Sequence, residues 1–146
     1  MEKRCLSASL FCIIFNMKTV RVAAAVIVRD NQIFAAERGY GDMKGGWEFP
    51  GGKIEAGESA EEALVREIQE EMEIRIVPYE KLCRVEYDYP SFHIVMDCFL
   101  SYVSEGHMHL LEHMDGKWLS LEEIDSVDWL PADLLAVEAL KKRGIA

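Results

Sequence analysis

The sequence predicts an α+β fold in which a mixed β-sheet is sandwiched between helices, an α/β/α arrangement. Three observations carry that expectation. Apolar and β-branched runs are separated by turn signals, two segments place apolar residues at helical spacing, and a chain of 146 residues, half of them hydrophobic, suits a single core.

Taken in order, residues 20–28 are apolar and β-branched and read as a strand. Arg29-Asp30-Asn31-Gln32 supplies turn chemistry, and residues 33–38 resume a strand. Residues 39–46 are glycine-rich and polar, a loop. Trp47-Glu48-Phe49-Pro50-Gly51-Gly52 reads as a short strand running into a sharp bend. The next element is a helix: Ser59 with Glu62 three residues on forms a capping box, and Ala60, Leu64, Ile68 and Met72 form an apolar stripe. Residues 74–77, 81–89 and 93–103 read as strands, the last two joined by a hairpin loop at 88–91, and 117–120 as a final short strand. A helical turn capped by Ser120 is expected at 121–124. A closing helix is expected from Pro131 or Ala132 to Arg143, with proline in its first turn and Gly144 beyond its end.

No internal repeat or linker divides the chain, so one domain is expected over 17–146. Residues 1–16 are expected to be a disordered extension or to lie upstream of the true start. Glu2, Lys3 and Arg4 before the apolar stretch 10–15 faintly imitate a secretory signal, but no small-residue cleavage site follows. Met17-Lys18-Thr19-Val20, by contrast, reads as a natural start before the first strand.

Sixteen Lys and Arg against 26 Asp and Glu give a net charge of -10, a field that repels nucleic acid polymers and anionic membrane surfaces. An anionic ligand must therefore be small and brought in by metal ions or local cations. Cys5, Cys12, Cys83 and Cys98 show no metal-ligand spacing, so reduced thiols in a cytoplasmic protein are expected. No apolar run reaches the roughly 18 to 20 residues that span a bilayer.

Glu67, Glu70 and Glu71, at i, i+3 and i+4, put three carboxylates on one helix face, where they repel one another. A solvated acidic face is the plain alternative. Against it, the triplet follows a Pro-Gly-Gly bend, sits beside Glu58 and Arg66, and borders an apolar stripe that must be packed. Oxygen-only ligands in this number suit a hard cation, Mg²⁺ or Mn²⁺, shared with substrate phosphates.

The segment 52–74, GKIEAGESAEEALVREIQEEMEI, resembles the box of the Nudix hydrolases, G-x5-E-x7-R-E-U-x-E-E-x-G-U with U aliphatic. Gly52, Glu58, Arg66, Glu67, Ile68, Glu70, Glu71 and Ile74 fit in place, while Glu73 stands where the family has glycine, which bears on helix-end geometry. The resemblance extends over about 21–141 toward MutT-like nucleoside triphosphate pyrophosphohydrolases. It implies a Nudix fold and Mg²⁺-dependent hydrolysis of a (deoxy)nucleoside triphosphate to a monophosphate and pyrophosphate, in nucleotide-pool sanitising. It further implies that Glu67, Glu70, Glu71 and the Gly51 carbonyl hold the metal, that Arg66 orients the glutamates, and that Glu58 supports the bend. Glu112 matches a further metal-binding or catalytic glutamate, and Arg38 an arginine that meets substrate phosphate. Glu67 and Glu112 compete for the role of general base.

Asp133 matches a position that touches the nucleobase. Ionised, it is acceptor-only and suits an exocyclic amine, which keeps cytidine and 8-oxo-guanosine substrates open; the alternative is a helix cap. Phe92, with Tyr87 and Tyr89, can stack on a base or serve as cross-strand packing, and His93 reads as structural. Two other readings remain: action on a nucleoside diphosphate derivative such as ADP-ribose, and a catalytically silent Nudix domain used as a sensor. The expected partners are a small nucleotide and, at most, a second copy of the chain, as monomer or homodimer.

Overall fold

The computed structural model describes residues 17–146, so the expectation for residues 1–16 lies outside the described residues. Seven strands form one mixed sheet: β1 (Lys18–Arg29), β2 (Gln32–Arg38), β3 (Trp47–Glu48), β4 (Gly51–Lys53), β5 (Arg75–Tyr89), β6 (Phe92–Glu105) and β7 (His113–Leu119). Their path is β3-β2-β1-β6-β5, with β4 paired to β1 and β7 to β2. The β1–β6 pairing is parallel and the others are antiparallel. Helices α1 (Ala60–Met72) and α2 (Pro131–Arg143) cover the two faces.

Strand β1 explains the layering. Its central residues are buried on both faces, as expected of a strand covered by helices on each side. Ala24 and Val26 pack with Ala136, Val137 and Leu140 of α2, while Ala23, Ala25 and Ile27 pack with Leu64, Ile68 and Met72 of α1. The β1–β2 hairpin turns through Asp30 and Asn31 at φ 50° and 63°, the paired left-handed residues of a two-residue turn that follows strand twist.

Three boundaries differ from the sequence expectation. β5 is one strand rather than two. It runs through Pro78 with register shifts on either side, because an edge strand tolerates proline's missing donor and bulges absorb the irregularity. β7 begins at His113, not 117, because its polar first half is recruited by pairing with β2. The turn after Ser120 becomes a 3-10 turn at Ile124–Ser126, preceded by a Glu123 carboxylate that accepts from the Ser120 amide and hydroxyl.

Helix α1 has the expected capping box, with Ser59 Oγ accepting from the Glu62 amide at 3.1 Å and Glu62 Oε1 accepting from the Ser59 amide at 2.9 Å. It ends on Glu73 in the left-handed region, φ 58°, ψ 33°, the conformation glycine normally supplies. Glu73→Gly is therefore expected to stabilise the protein by about 1 kcal/mol. The exposed 3.4 Å approach of His109 to Glu73 is the one ion pair it forfeits. A thermal melt checks this: the midpoint should rise by a few degrees, and an unchanged or lower midpoint refutes it.

Cys83 and Cys98 are free and face one another across β5 and β6, in line with the reduced thiols expected. Cys5 and Cys12 fall outside the described residues. Among the described residues, no helix is long and apolar enough to cross a membrane.

Candidate active site

A cavity of about 620 Å³ opens between the sheet and the start of α2, and its walls carry two chemistries. At one end stand Glu67, Glu71 and Glu112 with Gly51 and Gly52. At the other stand Asp133, Phe49, Tyr89 and Phe92.

The acidic end is built by helix packing. Burying the Leu64, Ile68 and Met72 stripe turns the adjacent Glu67 and Glu71 toward the bend at Gly51-Gly52. The fit is close: a side chain at Gly52 would place Cβ 2.2 Å from the Glu67 carboxyl carbon, and one at Gly51 would place it 2.0 Å from the Ala23 carbonyl oxygen. Only glycine admits both contacts.

Arg66 clamps this corner. Its Nε and Nη2 donate to the two Glu58 oxygens at 2.7 and 2.9 Å, Nη1 to Glu67 at 3.0 Å and to Glu70 at 3.4 Å, and Nη2 to the Lys53 carbonyl at 3.1 Å. The bidentate fork and the Glu55 amide hold the Glu58 carboxyl down at about 2, and Glu58 in turn pushes the Arg66 pKa up. The ion pairing inferred from the motif is present, and Glu58 ties Arg66 to the Glu55 amide in the loop before α1.

Glu112 reaches the site through backbone bonds. The His109 and Leu111 amides donate to the Met72 and Glu71 carbonyls at 2.9 and 3.2 Å. These carbonyls are among those a helix leaves open at its C-terminus. The loop before β7 thereby docks on the end of α1 and sets Glu112 against Glu71. Glu70 is not brought to the cavity wall; it is 58% exposed and meets Arg66.

Glu71 reports the electrostatics of this corner. Burial first, then hydrogen bonding and repulsion from Glu67 and repulsion from Glu112 and Glu48, push its carboxyl up to about 9. Among the described residues, no three acidic, histidine or cysteine side chains already converge as a metal cage. The donor set nonetheless fits a hard divalent cation: three carboxylates share one wall, and one of them, Glu71, is held protonated first by its burial and then by Glu67 and Glu112 beside it.

The opposite end is decided by β3 and α2. Trp47 donates to the Asp128 carbonyl at 3.0 Å and accepts from the Leu130 amide at 2.8 Å, while the Trp129 ring lies 4.6 Å from Phe49. This tie sets Asp133 beneath Phe49, whose amide donates to Asp133 Oδ1 at 2.9 Å. Asp133 is thus not the helix cap, a position Leu130 occupies. Nor is it the ionised acceptor expected from sequence. Burial, with the Glu48 charge second, pushes its carboxyl up to about 8, so at neutral pH it carries a proton and can donate as well as accept.

Phe92 and Tyr89 both line the cavity with rings 5.0 Å apart, and the Tyr89 hydroxyl accepts from the Ala132 amide at 3.1 Å. Tyr87 packs on Tyr89 at 4.9 Å. His93 is structural as read, held between Asp88 and Glu86 at 2.5 and 3.0 Å.

Arg38 also lines the cavity, where its Nη1 donates to Glu48 Oε1 at 2.9 Å. Burial lowers its pKa, but the charge and hydrogen bond of Glu48, with smaller contributions from Tyr40 and Asp133, together raise it. Glu48 and His113 were not singled out from sequence. Glu48 sits between two aromatics, a strand alternation that reads as solvent-facing, and His113 is the first residue of a strand only the sheet reveals. The one available signal was their place beside Phe49 and Glu112.

Layers, sheet order and the glutamate-bearing helix facing a glycine bend define the class of fold. The NUDIX domain model matches residues 18–144, and the chain belongs to the Nudix hydrolase family. It is 36% identical over 128 residues to an 8-oxo-dGTP diphosphatase of Escherichia coli (strain K12), covering 86% of this chain and 99% of that protein. It is likewise 36% identical over 124 residues to a CTP pyrophosphohydrolase of the same organism, covering 84% and 92%. Among solved structures it is similar to a MutT Nudix hydrolase from Burkholderia pseudomallei, with TM-score 0.77, 27% identity, and 84% and 98% of the two chains covered. The Escherichia coli ORF135 protein gives TM-score 0.75 and 34% identity over 88% and 92%.

Proposed function

We propose that this chain hydrolyses a (deoxy)nucleoside triphosphate to the monophosphate and pyrophosphate with Mg²⁺, or Mn²⁺ in its place, as a nucleotide-pool sanitising enzyme acting on an 8-oxo-dGTP or dCTP/CTP type of substrate. The observation that carries the reading is one cavity with three carboxylates at one end and a buried Asp133 beside aromatic rings at the other. The names borne by its relatives, 8-oxo-dGTP diphosphatase and CTP pyrophosphohydrolase, agree with it.

Glu67, Glu71 and Glu112, with the Gly51 carbonyl, would hold the metal, and Glu70 would join from the exposed side of α1. The bound ion supplies neutralisation of the polyphosphate and a water of lowered pKa. Arg66 keeps Glu67 aimed at the cavity. Arg38, in the cavity wall, would meet substrate phosphate. Glu67 or Glu112 would accept the water's proton.

At the base end, Phe92 and Tyr89 would stack while Asp133 reads the hydrogen-bonding edge. A pyrophosphate-release panel with Mg²⁺ tests both levels. Turnover of 8-oxo-dGTP, dCTP or CTP should exceed that of dTTP and UTP. Fastest turnover on dTTP refutes the 8-oxo-dGTP or dCTP/CTP reading, and preference for ADP-ribose moves the chain to the diphosphate-derivative branch. Absence of release from every nucleotide favours a silent sensor.

A further inference from the structure

One carboxylate in the cavity wall is shared by two donors. Glu48 Oε1 accepts from Arg38 Nη1 at 2.9 Å, and its Oε2 lies 3.1 Å from His113 Nε2. The three residues come from adjacent strands: Glu48 from β3, Arg38 from the end of β2, His113 from the start of β7. Arg38 and His113 are cross-strand partners at the point where the β2–β7 register shifts, and their side chains meet on the Glu48 carboxylate. A carboxylate accepts but does not donate, so the His113 nitrogen facing it carries the proton.

The burial gradient shows which group is the anchor. The His113 side chain is 4% exposed, Glu48 15% and Arg38 27%. Arg38 Nε is buried without a hydrogen-bond partner. Its guanidinium is therefore held by the single bond to Glu48 and by the Tyr40 ring 4.8 Å away, itself half exposed at the cavity mouth. A lone carboxylate facing an arginine is free to turn and pair with both arms of its fork. His113 occupies the second oxygen and removes that option, leaving the rest of the guanidinium to the cavity.

We infer that His113 is a positioning residue that fixes the Arg38 guanidinium toward bound substrate through the shared Glu48 carboxylate. The inference rests on the reading above, in which Arg38 meets substrate phosphate. His113 itself need not touch substrate.

Two isosteres separate this role from simple packing. The amide nitrogen of Gln superposes on imidazole Nε2, that of Asn on Nδ1. Steady-state kinetics on the preferred triphosphate, and calorimetric binding of its unhydrolysable α,β-imido analogue with Mg²⁺, are measured for His113→Ala, His113→Gln, His113→Asn, Arg38→Ala and the Arg38→Ala/His113→Ala double variant. His113→Ala should raise KM and the analogue Kd about tenfold with kcat within about twofold, the loss of one charge-assisted bond acting on binding. His113→Gln should restore wild-type values and His113→Asn should not. In the Arg38→Ala background, removing His113 should change nothing further.

Equal behaviour of the Gln and Asn variants overturns the inference, as does a full-sized His113→Ala effect without Arg38. Analogue binding without any turnover by the wild type sinks the hydrolase reading instead, and the binding series still decides the role of His113.

Discussion

Glu71→Gln is expected to lower kcat/KM by about 10³-fold while the metal-free protein folds as stably as the wild type or more so. The two halves have one cause. In the absence of metal, burial and the neighbouring Glu67 and Glu112 hold the Glu71 carboxyl at about 9, so the folded protein already carries the neutral acid at pH 7. Glutamine is close to that form in shape and charge, and it removes the cost of deprotonating a buried group. With metal and substrate bound the requirement reverses. The carboxylate must be charged to hold the cation, and its loss removes several kcal/mol of transition-state stabilisation. Thermal melts with and without Mg²⁺ beside kinetics separate the halves. Retained turnover, or a melt lowered by several degrees without metal, would overturn the assignment.

Metal-free stability should peak near pH 5 and fall steadily toward pH 9, with divalent cation cancelling most of the fall. Glu71 and Asp133 are both raised in the folded state, to about 9 and about 8 from ordinary values of 4.5 and 3.8. Folding therefore holds a proton on each that the unfolded chain has released. Their stabilisation is complete below the unfolded pKa and is lost as pH rises through the folded one. Glu58, held at about 2, and Asp97, lowered by Arg84, have the opposite sign, so their contribution is present above about pH 4 and lost in acid.

Each pKa unit is worth about 1.4 kcal/mol, so the raised pair removes on the order of 10 kcal/mol between pH 5 and 9, a fall of tens of degrees in the midpoint of a domain of this size. Bound Mg²⁺ replaces the Glu71 proton, so its stabilising effect should be larger at pH 8.5 than at pH 5.5. A flat profile without metal, or equal metal effects at both pH values, would refute the shared origin in Glu71.

Much of the fold was legible because it rests on local rules. The α1 stripe at Leu64, Ile68 and Met72, its Ser59–Glu62 box and the Asp30-Asn31 turn each depend on residues within a few positions of one another, and each formed where expected. The Glu67–Glu71 and Arg66–Glu70 pairs were legible for the same reason, since i,i+4 spacing alone sets each pair on one side of the helix. The β5 break and the late β7 start were misjudged because strand extent depends on a partner strand. Pro78 is tolerated only because β5 is an edge, and His113 is in a strand only because β2 lies beside it.

By itself, then, the order of residues determined the three-layer class, the helix that carries the glutamates and the bend that faces it. Tertiary structure alone decided how Glu112 is brought against Glu71 and that Glu70 faces solvent, that Glu48 links Arg38 to His113, and that Asp133 is buried with its carboxyl pushed up. The physical reason is one of range. Periodicity and side-chain type act over a few residues, whereas docking of the His109–Leu111 amides on the end of α1 and desolvation of a carboxyl depend on what distant segments bring against it.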